Sequence, residues 1–150
     1  MNKLIIGIVL VVVAGIAAYL IYPVFNVKES SEASPLQEIK ENTEEINEKI
    51  ISQGEFIASA HDVKGKALII EEDNKKILRF EDFETINGPD LRIYLSNDLD
   101  IDDSIDLGPI KATKGNVNYE LDSSTNIEKY DKVLVWCRAF RVLFSYSNLE

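Results

Sequence analysis

The run YDKVLVWCRAFRVLF, Tyr130–Phe144, decides how the rest of the chain is read. It holds the only tryptophan and the only cysteine, Trp136 and Cys137, side by side. Nothing between Cys137 and Phe140 demands a turn, since no Gly, Pro, Asn or Asp is present there. Lys132–Ser145 therefore reads as one continuous or gently bulged strand. Side chains on a strand alternate between faces. Leu134, Trp136, Arg138, Phe140, Val142 and Phe144 are large and, Arg138 apart, apolar, so this face is expected in the core. Val133, Val135, Cys137, Ala139, Arg141, Leu143 and Ser145 are smaller and turn polar. Cys137 is then expected on the other side of the sheet from Trp136, on a face covered by another element or partly open. A bulge near Arg138 shifts the register and reverses the assignment.

The same period of two recurs upstream. Leu68 and Ile70 share one face, as do Leu78 and Phe80. Leu91, Ile93 and Leu95 alternate with Arg92, Tyr94 and Ser96. Val117, Tyr119 and Leu121 alternate with Asn118 and Glu120. Turn chemistry separates these runs at Asp62–Gly65, Asp73-Asn74, Asn87-Gly88-Pro89, Gly108-Pro109 and Lys114-Gly115-Asn116. Many short strands at such spacing predict a mainly β domain, an antiparallel β-sandwich or a closed barrel, over residues 54–150.

Ahead of it the pattern differs. Leu4 to Val27 carries no charge, and Lys3 is the only charged side chain before Lys28. About 20 apolar residues suffice to cross a bilayer. Residues 1–27 are thus expected to be a transmembrane anchor, with a cleaved signal peptide ending near the Gly15 and Ala17 pair as the alternative. Lys3 and the amino terminus favour a single-pass cell-membrane protein with its C-terminal domain outside the cytoplasm. Residues 28–34 read as a polar linker. Residues 35–53 read as an amphipathic helix: Ser34 as cap, Pro35 in first place, Gln37 completing a capping box, and Leu36, Ile39, Thr43, Ile46 and Ile50 on one face. That stripe either packs on the β-domain or makes a homodimer through residues 36–50.

Charge and counting exclude several functions. A net charge of −10 repels phosphate, so no nucleic-acid partner is expected. One histidine, one cysteine and an initiator methionine cannot fill a blue-copper, structural zinc or paired-ligand haem site. No metal ligand set and no cofactor is evident. Asp98, Asp100 and Asp102 imitate the start of a calcium loop, but Asp103 stands at the glycine place and Pro109 at the terminal glutamate place. A solvated acidic loop is the plainer reading. His61 beside Cys137 would make a nucleophile pair, yet no third orienting group can be named. Cys137 itself is either a small core residue or a reactive thiol, with Arg138 and Arg141 close in sequence to favour thiolate.

The strings GEFIASAHDVKGKALII, LRFEDFETINGPDLRIYLS, IDLGPIKATKGNVNYEL and YDKVLVWCRAFRVLFSYSNL together resemble the DM-thirteen domain, also called the electron-transfer DM-thirteen domain, over residues 54–149. The resemblance rests on Gly54, Phe56 and His61, on Phe80, Phe83 and Asn87–Leu91, on Leu107–Pro109, on Gly115, Tyr119 and Leu121, and on Trp136, Cys137 and Phe140. FSYSNL departs from the glycine-containing end expected near Ser145. The resemblance implies a β-sandwich of the DOMON-like, jelly-roll-like kind and a redox role for its single cysteine, Cys137, with His61, Arg138 and Arg141 as tuning groups. A lone thiol cannot close an intramolecular disulfide, so a protein or small-thiol redox partner is implied. The competing expectation is a non-catalytic cell-surface interaction module whose cysteine only packs. A third is a calcium-responsive module using Asp98–Asp106.

Overall fold

Alternating apolar side chains and glycine- or asparagine-containing turns give nine strands in a computed structural model that describes residues 3–22, 27–34, 49–72 and 74–150. The elements in chain order are α1 (Lys3–Ile21), β1 (Glu29–Ser31), β2 (Lys49–Ala58), β3 (Val63–Glu72), β4 (Lys75–Thr85), β5 (Leu91–Ser96), β6 (Ser104–Pro109), β7 (Lys114–Leu121), β8 (Lys132–Cys137) and β9 (Val142–Asn148). The strands form one sheet, in the order β1-β7-β4-β3-β2-β9-β8-β5-β6. It curls through β2, whose Lys49–Glu55 part pairs with β3 and whose Phe56–Ala58 end pairs with β9. Gly54 marks the change of partner: a Cβ there would lie 1.8 Å from the Asn148 carbonyl oxygen.

The two halves of the sheet share one core. Ile69, Leu78, Phe80, Val117 and Tyr119 from the first half meet Leu91, Ile93, Val133, Val135 and Phe144 from the second. Phe56, on the strand common to both, packs its ring 4.9 Å from those of Phe80 and Phe83.

Four expectations are corrected by the structure. The helix α1 has 19 residues, about 28 Å at 1.5 Å per residue, against a hydrocarbon layer of about 30 Å. Among the described residues no helix is long and apolar enough to cross a membrane. That overturns the single-pass cell-membrane localisation expected from residues 4–27, and the transmembrane anchor over 1–27 is not supported. Residues 28–34, expected as a linker, dock on the sheet instead. There β1 pairs in parallel with β7, the one parallel pair in a sheet whose other pairings are antiparallel. Gly115, at φ 100°, admits it, because a Cβ would lie 1.9 Å from the Ser30 carbonyl oxygen. The buried Arg79 guanidinium then donates to the carbonyls of Glu32 and Ala33 at 3.3 and 3.0 Å. Of the expected helix over 35–53, residues 35–48 lie outside the described residues, and with them nearly all of the homodimer stripe 36–50. Lys49–Gln53 is strand, the start of β2.

The fourth concerns the expected continuous strand. Lys132–Ser145 is a hairpin rather than one strand. β8 ends at Cys137, Arg138–Arg141 turns, and β9 begins at Val142. Arg141 sits at φ 54°, the left-handed conformation that reverses the chain without a glycine. A bulge between Val135 and Trp136 shifts the β8–β9 register. The extra residue, Phe144, lies on β9, so the alternation of β8 runs unbroken, with the smaller set facing the main core and the larger set the second cluster. Val133, Val135 and Cys137 point into the main core, while Leu134 and Trp136 join Tyr94 in a second cluster with Ile101, Leu143 and Tyr146. Phe144 reaches the main core from beyond the turn.

Candidate functional site

Cys137 is the last residue of β8, between Leu91 of β5 and Val142 of β9. It is fully buried, at 0% exposure. Both cross-strand neighbours are apolar, and among the described residues none hydrogen-bonds to the sulfur.

The sequence named His61, Arg138 and Arg141 as groups that tune this thiol. The structure gathers His61 and Arg138 at the same end of the sheet but engages each elsewhere. The His61 ring packs 4.1 Å from the ring of Phe144, and its backbone N–H donates to the Phe144 carbonyl at 3.2 Å. Arg138 donates from Nε to Asp90 Oδ2 at 2.7 Å, and from its backbone N–H to the Asp90 carbonyl at 2.9 Å. Arg141 is exposed at the hairpin turn. The thiol thus has guanidinium groups beyond its strand end rather than against its sulfur.

Asp90 is the site residue that sequence reasoning missed. The signal was present in the Asn87–Leu91 string, which was noted for its turn and not for its carboxylate. Gly88 in that string sits close to Leu91, the strand partner of Cys137, and to Phe144: a Cβ there would lie 3.1 Å from Leu91 Cδ2 and from Phe144 Cζ. The Asn87–Leu91 segment therefore joins His61, through Phe144, to the strand partner of Cys137.

On the outer side of the same strands, Trp136 is 8% exposed and its indole N–H is buried without a hydrogen-bond partner. Arg92, opposite it on β5, is held by Asp106 through three hydrogen bonds of 2.9–3.1 Å. Burial, with Asp106 nearby, raises the Tyr94 phenol above its ordinary value.

The acidic loop spends its carboxylates locally. Asp98 and Asp100 accept from the backbone N–H groups of Leu99 and Ile101 at 2.7 and 2.6 Å. Asp103 pairs with Lys129 at 3.0 Å and accepts from the Tyr130 hydroxyl, and both hold its carboxyl below the usual range. Among the described residues no group of three or more His, Cys, Asp or Glu is arranged to hold a metal ion.

The described residues thus form a β-domain, a sheet curled on one main core, with its single cysteine buried at a strand end beside the Asn87–Leu91 segment. A family model described as Electron transfer DM13 matches residues 55–149. The chain belongs to that family. No curated protein and no solved structure gives a match.

Proposed function

We propose that this chain is a redox module in which Cys137 is the electron-carrying group. The curled sheet, with two halves facing across one core, is read as the β-sandwich of the family, closed through β2. Support for the redox role comes from family membership, since the family is described by electron transfer. Support for the residue comes from composition and place. Cys137 is the only thiol, and it ends a strand one residue short of the exposed Arg138–Arg141 turn. Opening that strand end exposes the sulfur while the rest of the core stays packed.

A single thiol carries electrons by exchange with an outside disulfide. The Cys137 thiolate attacks R–S–S–R, one sulfur–sulfur bond breaks, and Cys137–S–S–R and R–S⁻ form. A second outside thiolate, R′–S⁻, then attacks the mixed disulfide at the R sulfur and releases the Cys137 thiolate. That step also forms the disulfide R′–S–S–R, which a further R′–S⁻ resolves to R′–S–S–R′ and R–S⁻, so two outside thiolates together pass two electrons to the first disulfide. His61, whose ring packs against Phe144 close to this strand end, is in this reading the group that stabilises the thiolate once the strand end parts.

The test is incubation of the full native chain with oxidised glutathione, followed by peptide mapping. A glutathione adduct on Cys137 that dithiothreitol removes is expected. No adduct under native conditions, with ready modification in urea, overturns the redox role. The second reading, an interaction module with a structural cysteine, is favoured by the complete burial of Cys137, and it is what that negative result would establish.

A further inference from the structure

Two elements meet over the buried thiol. The first is the end of β8, where Arg138 follows Cys137. The second is the Asn87–Leu91 segment, which enters β5 and supplies Leu91 as the cross-strand partner of Cys137. One side chain contact ties them from outside: Arg138 Nε to Asp90 Oδ2 at 2.7 Å, with the Arg138 side chain 57% exposed and Asp90 30%. The backbone bond from Arg138 N–H to the Asp90 carbonyl, at 2.9 Å, continues the β5–β8 ladder one step beyond the strands.

The far side of the Asn87–Leu91 segment faces Pro109 and Ile110, and the Ile110 backbone N–H donates to the Leu91 carbonyl at 2.8 Å. The segment lines a cleft of about 500 Å³, with Val27, Lys28 and Ile110 on the other walls. Leu91 belongs to both environments: it lines the cleft and adjoins Cys137 in the core.

We propose that Asn87–Leu91 is the door to Cys137 and that the Asp90–Arg138 ion pair is its latch. Asp90 and Arg138 are positioning residues. They act on access to the thiol, not on the sulfur itself. The ligand admitted is a small disulfide or thiol with an apolar body, suited to walls built from Val27, Leu91 and Ile110. Opening costs the partly exposed ion pair, the terminal ladder bond, the Ile110 N–H to Leu91 carbonyl bond at 2.8 Å and the burial of Asn87 and Leu91, a local cost that leaves the rest of the core packed. The use of the door rests on the redox reading of Cys137; its mechanics do not.

The experiment measures alkylation of Cys137 by iodoacetamide in the full native chain. Asp90→Asn and Arg138→Gln should each speed labelling by about three- to fivefold, the effect of losing one partly exposed ion pair. The double variant should be no faster than either single one, because both remove the same contact. Asp103→Asn, which breaks the surface pair with Lys129 on another loop, should leave the rate unchanged. Equal rates for Asp90→Asn and the wild type, or equal acceleration by Asp103→Asn, would overturn the latch. Iodoacetamide needs no redox partner, so accelerated labelling alongside a failed glutathione exchange would keep the latch and discard the redox role. Glutathione exchange at a rate the latch variants do not alter would do the reverse.

Discussion

Position 137 puts a thiol where the neighbouring inward residues, Val133 and Val135, are plain hydrocarbon. A cysteine there packs as a small apolar group. Replacing sulfur by oxygen brings a hydroxyl into a surround with no partner for it, so Cys137→Ser should cost about 1–3 kcal/mol in urea unfolding. A neutral substitution would place the side chain outside the core. Tyr119 gives the residue-scale pH dependence. Burial pushes its phenol up to about 12, against the lowering effect of the hydrogen bond it accepts from Lys111 N–H at 3.0 Å. The folded chain holds this proton more tightly than the unfolded chain, whose phenols ionise near pH 10. The stability it contributes is whole below about pH 10 and is lost as pH rises through about 12. Melting followed from pH 9 to 12 should show this loss, and Tyr119→Phe should flatten it. At this scale the strand alternation of Leu91–Ser96 was legible in the sequence, and the inward side of Cys137 was not. Parity sorts β8 correctly into two faces, but both faces are buried, so apolar size does not say which one meets the main core.

Among elements, the β8–β9 hairpin and the β1 strap depart furthest from the sequence reading, each for a definable reason. The hairpin turns on Arg141 in the left-handed region, where a residue with a Cβ is uncommon, so no glycine announces it. Arg141→Gly should therefore stabilise the chain by about 0.5–1 kcal/mol by relieving that conformation. Had Lys132–Ser145 been a continuous strand, the same change would destabilise by a similar amount; thermal melting decides by its sign. The substitution should also leave thiol labelling unchanged, since Arg141 sits away at the exposed turn. The strap over residues 28–34 is held largely through its own backbone, with the Lys28 carbonyl accepting from Thr113 and Lys114 at 2.7 and 3.1 Å. Such docking leaves no apolar pattern in the docked segment. The signs of it lie in the receiving strands, at Gly115 and the buried Arg79, and neither can be tied to residue 30 or 32 by spacing alone.

Across the whole molecule, β2 makes one cooperative body of the two sheet halves. Mainly β architecture and the approximate turn positions were legible because each strand carries its own alternation. The sharing of β2 was not, since partner choice is a long-range property; at Gly54, just past the expected helix over 35–53, the Asn148 carbonyl comes too close for a Cβ. Phe56 lies at that junction, with rings of both Phe80 and Phe83 at 4.9 Å. Phe56→Ala should cost about 3–5 kcal/mol and keep a single unfolding transition. Two transitions would mean that the halves fold independently. The candidate site is also a whole-molecule construction, because β4–β5, β8 and the turn bearing His61 reach one end of the sheet from distant parts of the chain. The family strings made the members visible, but only the topology shows that Arg138 faces Asp90 and not sulfur.

The most direct test is the rate at which oxidised glutathione modifies Cys137 in the full native chain, set beside the rate of global unfolding measured under the same conditions. Local opening at the Asn87–Leu91 door predicts exchange faster than unfolding and nearly insensitive to low urea. Exchange that matches the unfolding rate and rises with urea in step with it would leave Cys137 a packing residue and contradict the redox account.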